Sequence, residues 1–477
     1  MADILTDAGH SVAMLRNDRL GKPQFLSTNI KVFEFIMPEG YVPLDDPGVV
    51  EKMMQMSIIK LFDLATGYSS LICDVILKSD VLKTIKYMDY DLLIADYTEL
   101  ASHIVSGVLK IPTIAYANEG TYPDSFVGTL KVGHPVPWAI TPILFMSYSD
   151  SMTFVQRLVN TGAWLGWGYG SYSSNVQLKK IITKYSLNIS TDTAGLGGVC
   201  LVLSNNHIAL DYPRPLMPNH KYIGGYTLQP SKALPDYITK LLDDLPFNDV
   251  IIVSFGSYVK ALMNPEKYEV LAEAFARLPY TVLWKHTEKP PANLGKNTHL
   301  IKWLPQNDLL GDSRTRLFVT HCGVSSSFET IYHGVPVVAI PLGLDQYKHA
   351  TELTCRHNMG VVIDIHTLQA NALEEAILSV LSNTEYVENA RKASRLIRDN
   401  PVSPKETLLY WVNYVIKHGG ADHFKSEGME NLSWYQYFLL DIIGLALLIF
   451  DILAIVCFFS CRFMIRCFKN YSKRKQD

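Results

Sequence analysis

The chain has 477 residues, of which 48% are apolar, and a formal net charge of -3 at pH 7. That length suits about two to three domains at roughly 100–200 residues each, with ample apolar material for their cores. The near-neutral balance excludes nucleic acid as the expected partner. The 7 cysteines show no CxxC pair and no ordered His/Cys spacing. They argue against a zinc site. Cys457, Cys461 and Cys467 lie in or just beyond the last apolar segment, and the other four are too few and too scattered for a disulfide scaffold and read as buried free thiols.

The chain opens on MADILTDAGHSV (1–12), an amphipathic helix fragment stopped by Gly9, with no apolar leader before it. Alternation then begins. SVAMLR (11–16) and IKVFEFI (30–36) read as strands, and 48–88 is helical from its three- and four-residue apolar spacing. DLLIAD (91–96) is a compact buried strand, TELASHIVSGVLK (98–110) a helix and PTIAYAN (112–118) a further strand. Such alternation predicts a parallel sheet covered by helices. The start inside a helix leaves a first strand expected upstream.

Residues 119–150 are rich in Gly, Pro, Tyr and Thr and read as loops, and 151–186 is helical, with Phe154, Leu158, Trp164 and Trp167 as packing anchors. GVCLVLSN (198–205) is a strand, followed by the extended passage DYPRPLMPNHKYIGGY (211–226). A second α/β pattern starts at VIIVSFGS (250–257), a strand ending in a Gly/Ser turn. Asn264 and Pro265 are expected as N-cap and first residue of the helix PEKYEVLAEAFARL. TVLWKH (281–286), HLIKWL (299–304) and GVVIDI (360–365) continue the sheet, and ALEEAILSVLS (372–382) covers it.

The most informative stretch is LFVTHCGVSSSFETIYHGVPVVAIPLGLDQ (317–346). LFVT is a buried strand broken by His321-Cys322-Gly323. A helix is expected from near Ser325 or Ser326, with Ser326 and Glu329 as a capping box and Gly334 as its C-cap. Val335–Leu342 restarts a strand that ends at Asp345-Gln346. This unit aims a helix N-terminus, with its free N–H groups and positive dipole end, at the crevice where a diphosphate binds in open α/β sheets.

After Pro404, KETLLYWVNYVIKHGG is helical. YQYFLLDIIGLALLIFDILAIVCFFS (435–460) is long enough to span a bilayer, which needs about 20 residues. Trp434, Tyr435 and Tyr437 border one edge as an aromatic belt. Arg462, Arg466, Lys469, Lys473, Arg474 and Lys475 follow the other, which predicts a cytoplasmic tail and a lumenal main domain. Asp441 lies near the interface; Asp451 lies mid-span, where a carboxylate costs roughly 2.5–3.5 kcal/mol on insertion scales. Lys473 and Lys475, third and fifth from the carboxyl end, resemble a dilysine signal for retrieval to the endoplasmic reticulum. Asn188-Ile189-Ser190 and Asn431-Leu432-Ser433 are glycosylation sequons on the side expected to be lumenal; Asn470-Tyr471-Ser472 lies on the tail.

Trp303-Leu304-Pro305-Gln306, His321-x-Gly323, Glu329 four residues past Ser325, His333-Gly334-Val335-Pro336 and Pro341-Leu342-x-x-Asp345-Gln346 together resemble the signature of the UDP-glycosyltransferases, in their animal, membrane-bound branch. The resemblance implies an α/β, GT-B-like fold of two Rossmann-like domains facing a cleft. On that pattern 1–228 is the acceptor domain, 229–402 the UDP-sugar domain, 403–434 a bracing helix and linker, 435–461 the membrane helix and 462–477 a basic tail. The Pro-Arg-Pro and Gly-Gly pairs of 211–226 resemble the family's link between its domains.

By the same resemblance, Trp303 stacks on uracil, Gln306 bonds the nucleoside, and Glu329 accepts the ribose hydroxyls. His321, Gly323 and the turn N–H groups of Ser325 and Ser326 hold the phosphates and stabilise the leaving charge without a metal. Ser254, Gly256 and Ser257 form a second small-residue turn on the other side of the diphosphate, and Asp345 and Gln346 bond the sugar. Two positions depart from the family pattern: Cys322 stands where Gly is usual, and Ser325 where Asn is usual. Both are expected to weaken the donor grip.

The family uses a His–Asp pair to deprotonate the acceptor. Asp96 matches the aspartate; the histidine is expected upstream of residue 1, and neither His10 nor His103 takes its place. The implied reaction is inverting transfer of a hexose, glucose or glucuronic acid with a lean to glucose, from UDP-sugar to a hydroxyl of a small lipophilic acceptor whose pocket lies in 119–186. The UDP-sugar is a co-substrate, no metal or other cofactor is expected, and homo- or hetero-oligomerisation stays open. The alternatives are a catalytically silent UDP-sugar-binding membrane protein and another GT-B sugar-nucleotide enzyme such as an epimerase.

Overall fold

A computed structural model describes the chain apart from residues 21–26, 44–45, 55, 57, 97–98, 119–135, 190–198, 244–248, 257–262, 427, 429–431 and 475–477. Its strands are β1 (Ala13–Asn17), β2 (Lys31–Phe35), β3 (Leu93–Asp96), β4 (Thr113–Ala117), β5 (Val199–Ser204), β6 (His220–Tyr222), β7 (Val250–Ser254), β8 (Thr281–Lys285), β9 (Thr298–Ile301), β10 (Thr315–Thr320), β11 (Val337–Ala339) and β12 (Gly360–Val362). They form a four-stranded sheet β3-β4-β5-β6, a six-stranded sheet β12-β11-β10-β7-β8-β9, and a separate β1-β2 pair. Every pairing is parallel.

The larger sheet shows why its strands read as unbroken apolar runs: both faces are covered. Successive side chains of β7 alternate between two cores. Ile251 and Val253 pack with Leu271, Phe275, Trp284, Leu373 and Ile377. Val250 and Ile252 pack with Ile238, Leu242, Leu283, Leu309 and Phe318. Asn264 caps the Pro265–Ala276 helix through a bond from the Glu266 N–H. The smaller sheet is braced from the far end of the chain. Leu408, Val412 and Val415, on the Pro404–His418 helix, share a core with Leu5, Ile114, Leu201, Leu203 and Ile223.

Several elements differ from the sequence reading. The 48–88 region is three helices, Pro47–Met54, Ile58–Lys78 and Val81–Tyr87. A helix at Thr384–Arg398 and the short strand β6 were not expected; the former is strongly charged on one face, which obscures its small buried stripe of Ala390, Ala393 and Ile397. Among the anchors proposed for the long Phe154–Lys184 helix, Trp164 is buried and donates its ring N–H to the Thr141 carbonyl at 3.1 Å. Phe154 and Leu158 instead lie exposed on the same helix.

The capping box is also corrected. The helix of the central unit runs Val324–His333 with Gly323 as its N-cap, so Ser326 sits inside the first turn, where its hydroxyl is free for other bonds. Gly334 does close that helix, at φ 70. Asp345 caps a new helix, Gln346–Thr351, which tightens into a π turn at Glu352–Arg356. Toward the C-terminus, Leu440–Arg474 is one helix whose segment Leu440–Cys467 has mean hydropathy 2.9 and is long and apolar enough to cross a membrane. Trp434–Tyr437 is a separate turn of helix, set off where Leu439 takes φ 55.

Candidate active site

From β7 the chain proceeds outward through β8 and β9, then returns to the other flank of β7 as β10 and continues through β11 and β12. The reversal opens a crevice beyond the carboxyl ends of β7 and β10, the place where parallel sheets bind nucleotides. Two turns border it. One follows β7 through Phe255 to Gly256, at φ +78; Ser257 lies outside the described residues. The other follows β10 through His321, Cys322 and Gly323 into the Val324–His333 helix.

His321 is clamped between these turns. A Cβ on Gly256 would stand 2.6 Å from its Nε2, and so would one on Gly323. Both positions therefore need glycine for the ring to fit. Burial pushes the imidazole down to about 4, with Lys285 acting in the same direction against Asp345 and the Ser254 backbone, so the ring is neutral at pH 7. Its Nδ1 is buried with no hydrogen-bond partner among the described residues, and a buried polar nitrogen is costly without one. Gly256→Ala and Gly323→Ala should each displace the ring and weaken UDP binding by about tenfold or more, tenfold being 1.4 kcal/mol. Gly9→Ala is the control for Gly256→Ala: at φ +93 it too lies in the left-handed region but meets no atom within 4 Å, and titration calorimetry with UDP should leave it at the parent affinity; Gly323, at φ -60, carries no such strain, so its loss is steric alone.

Cys322 adopts φ 62, a conformation costing ~1–2 kcal/mol in a residue with a Cβ. Its thiol is fully buried against Val324, Phe328 and Ile331, and burial drives its pKa far up, so it is no nucleophile. The side chain thus points into the core, not into the phosphate turn as its sequence position suggested. Ser325 is exposed in the first turn of the helix.

One turn further on, a polar cluster forms. The Gln306 amide nitrogen donates to Ser326 Oγ at 3.1 Å and to Glu329 Oε2 at 2.6 Å. Burial raises the Glu329 carboxyl, with Gln306 opposing. Trp303 lies upstream of Gln306, 67% exposed, with Lys285 Nζ 5.0 Å from its ring centroid; a cation at that distance favours an electron-rich ring face.

Asp345 is mostly buried and its carboxyl is held below the usual range: burial pushes it up, but His349 and Lys348 outweigh that. Gln346 turns inward, its carbonyl oxygen accepting from the N–H groups of Leu342 (2.8 Å) and Gly343 (3.3 Å). Its amide NH2 is the end left to meet a ligand. Sequence reasoning missed what lies behind this pair. Lys348 Nζ is 2.6 Å from Asp211 Oδ1 and 2.9 Å from Glu352 Oε1, and His349 Nδ1 is 2.9 Å from Glu352 Oε2. The i,i+4 spacing of Lys348 and Glu352 was readable; the partner at Asp211 was not.

Asp96 ends β3 and is exposed at the carboxyl edge of the smaller sheet, paired in register with Tyr116. Its charge, after burial, helps raise the nearby Glu99 carboxyl. His103 is partly buried on the Leu100–Leu109 helix, where burial pushes it down to about 4.

Two parallel α/β units with a nucleotide-type crevice define a GT-B glycosyltransferase fold. The chain superposes on the UDP-glucose: anthocyanidin 3-O-glucosyltransferase in complex with UDP with TM-score 0.57 and 18% identity, covering 87% of this chain and 94% of that one. It matches Os79 from O. sativa in complex with UDP with TM-score 0.58 and 17% identity, over 86% and 95%. Sequence narrows the class. The profile of the family "UDP-glucoronosyl and UDP-glucosyl transferase" matches residues 31–475. The human 2-hydroxyacylsphingosine 1-beta-galactosyltransferase is 35% identical over 404 residues, 83% of this chain and 73% of that protein. Rat UDP-glucuronosyltransferase 1A1 is 30% identical over 500 residues, 99% and 89%. The chain belongs to the UDP-glucoronosyl and UDP-glucosyl transferase family. It is a glycosyltransferase that moves a hexose from a UDP-sugar, its co-substrate, without a metal.

Proposed function

We propose that the crevice beyond β7 and β10 is the donor site, and that this chain transfers its hexose with inversion to a hydroxyl of a small lipophilic acceptor at a membrane. The Gln306–Ser326–Glu329 cluster carries the reading, because it is built on the helix that the His321 turn leads into and sets a carboxylate and an amide one turn beyond that turn's free N–H groups. Trp303 offers an exposed face to uracil. Glu329 is turned by Gln306 toward a vicinal diol, with two acceptor oxygens for two O–H donors. His321 and the first-turn N–H groups of Ser325 and Ser326, with Ser254 and Gly256 opposite, meet the diphosphate; dipoles and a neutral imidazole do this work, the helix end supplying partial positive charge.

The hexose is then met by Asp345 and by the free amide end of Gln346. The acceptor oxygen attacks the anomeric carbon, the bond from that carbon to the phosphate oxygen breaks, and UDP leaves with the electron pair as the turn stabilises it. The acceptor proton goes to a base that Asp96 orients. Glucose or glucuronic acid fits as donor, with glucose preferred. A panel of UDP-glucose, UDP-glucuronic acid and UDP-galactose should show the tightest binding for UDP-glucose; a clear preference for either of the others would overturn that choice.

The apolar segment Leu440–Cys467 with the basic residues that follow supports a single span, lumenal main domain and cytoplasmic tail in the endoplasmic reticulum. Asn188, exposed beyond the Phe154–Lys184 helix, is then a glycosylation acceptor. Protease protection in sealed microsomes should leave everything but the tail intact, and Asn188→Gln should abolish one glycan shift on a gel.

A further inference from the structure

We infer that His349 is a positioning residue for the donor sugar, holding the Asp345 carboxylate toward the crevice from a fixed buried charge array. The inference rests on the reading of Asp345 as a sugar-binding group. His349 has a side chain 1% exposed and lies directly behind Asp345, its Nε2 3.6 Å from Asp345 Oδ2, while its Nδ1 is 2.9 Å from Glu352 Oε2. The imidazole therefore stands between two carboxylates, hydrogen-bonded to the fully buried Glu352 and within ion-pair distance of the crevice residue.

Glu352 is fixed in turn. Lys348 Nζ sits 2.9 Å from Glu352 Oε1 and 2.6 Å from Asp211 Oδ1. Asp211, on the passage between the two sheets, receives the His207 N–H at 2.8 Å and the Asn206 amide as well. The charged groups facing His349 are thus Asp345, Lys348 and Glu352 from its own turn and Asp211 from the linking passage. Three carboxylates face one lysine, and a charged imidazole narrows the difference to three against two. A neutral ring would leave the array two charges short in a buried place, where unpaired charge is strongly unfavourable.

The same charges set the proton affinity of the ring. Burial and Lys348 pull the His349 imidazolium down, but Asp345 and Glu352 more than compensate and raise it to about 9. Because the folded value lies above the unfolded one, the stabilisation is complete below about pH 6.5 and is lost as pH rises through about 9. Asp345 would be free to swing away from the sugar once its cation is gone.

Sugar and nucleotide are held by different residues, so the affinities separate. The full chain in detergent micelles is titrated calorimetrically with UDP and with UDP-glucose from pH 7 to pH 10, as parent, His349→Gln and Asp345→Asn. UDP reports the nucleotide half alone; the ratio of the two affinities reports the sugar half. In the parent the ratio should fall about tenfold between pH 8 and pH 10. His349→Gln should show the lowered ratio already at pH 7, with UDP affinity within about twofold of the parent and no further pH dependence.

Equal losses for UDP and UDP-glucose in His349→Gln, or an unchanged ratio, overturn the inference. If the variant does not fold, the parent's own profile decides: a ratio flat from pH 7 to pH 10 overturns it, a fall centred near pH 9 supports it. Asp345→Asn separates the two readings. A lowered ratio there with none in His349→Gln removes the role of His349 and keeps the donor site. A parental ratio in Asp345→Asn removes the sugar role of Asp345 and this inference with it.

Discussion

Replacing Glu329 by Ala is expected to raise the dissociation constant for UDP by about 10- to 150-fold, with the fold stable. The carboxylate offers two acceptor oxygens, one already directed by the Gln306 amide at 2.6 Å. A hydrogen bond to a charged group contributes ~1.5–3 kcal/mol, and each 1.4 kcal/mol is tenfold in affinity. The loss has a second source: without Glu329 the Gln306 amide keeps only Ser326 Oγ, at 3.1 Å, and is released from its place under the nucleoside. Glu329→Gln should fall between, since an amide can accept one ribose hydroxyl but presents an N–H to the other and to Gln306. Fluorescence titration of Trp303 with UDP and with thymidine diphosphate measures this directly. The parent should prefer the ribonucleotide, and Glu329→Ala should bind both alike; a surviving preference for the ribonucleotide would sink the ribose assignment.

Lys348→Met is expected to cost about 3–5 kcal/mol of stability, the largest effect of any single change away from the crevice. The lysine is the shared cation of Asp211 and Glu352, and removing one partner of a buried pair leaves uncompensated charge. Burial alone would push Asp211 up, but Lys348, the His207 N–H and His349 hold it below the usual carboxylate range. Lys348 is raised against its own burial by Asp211 and Glu352. A lowered acid and a raised base mean the pair is intact across neutral pH: it weakens only as pH falls below the ordinary carboxylate range or rises past that of lysine. Urea unfolding at pH 7, followed by fluorescence of buried Trp284, should show the loss. Adding Asp211→Asn to Lys348→Met removes one orphan charge and should recover part of it. Strict additivity of the two changes would mean they do not interact, against the 2.6 Å separation.

The fold class was legible because β7 and the buried part of β10 are covered on both faces, so Val250–Val253 and Leu317–Val319 are continuous apolar runs that need no partner information to read. The geometry of the turn after β10 was legible because its demands are local: glycine where backbone and imidazole meet, a helix start, a carboxylate one turn on. Other features were not. The serine and glutamate that look like a capping box belong instead to a cluster with Gln306, because the helix starts at Val324 with Gly323 as its cap. Cys322 looked like an obstruction at the phosphate and is packed in the core, because a positive φ turns its side chain away from the crevice. Gln346 looked wholly available to the sugar and has half of its amide committed to Leu342 and Gly343.

The sequence by itself determined the alternation of strands and helices, the apolar terminal segment and the family, since each is written in residues close along the chain. Only the tertiary structure decided how the two halves are coupled. Asp211 meets Lys348 across 137 positions of sequence, and two lone charges so far apart carry no periodicity that would announce their pairing. What makes them a unit is burial: removed from water, each carboxylate must find a cation, and the fold brings Lys348 and His349 to the place where the Asp345 carboxylate is held.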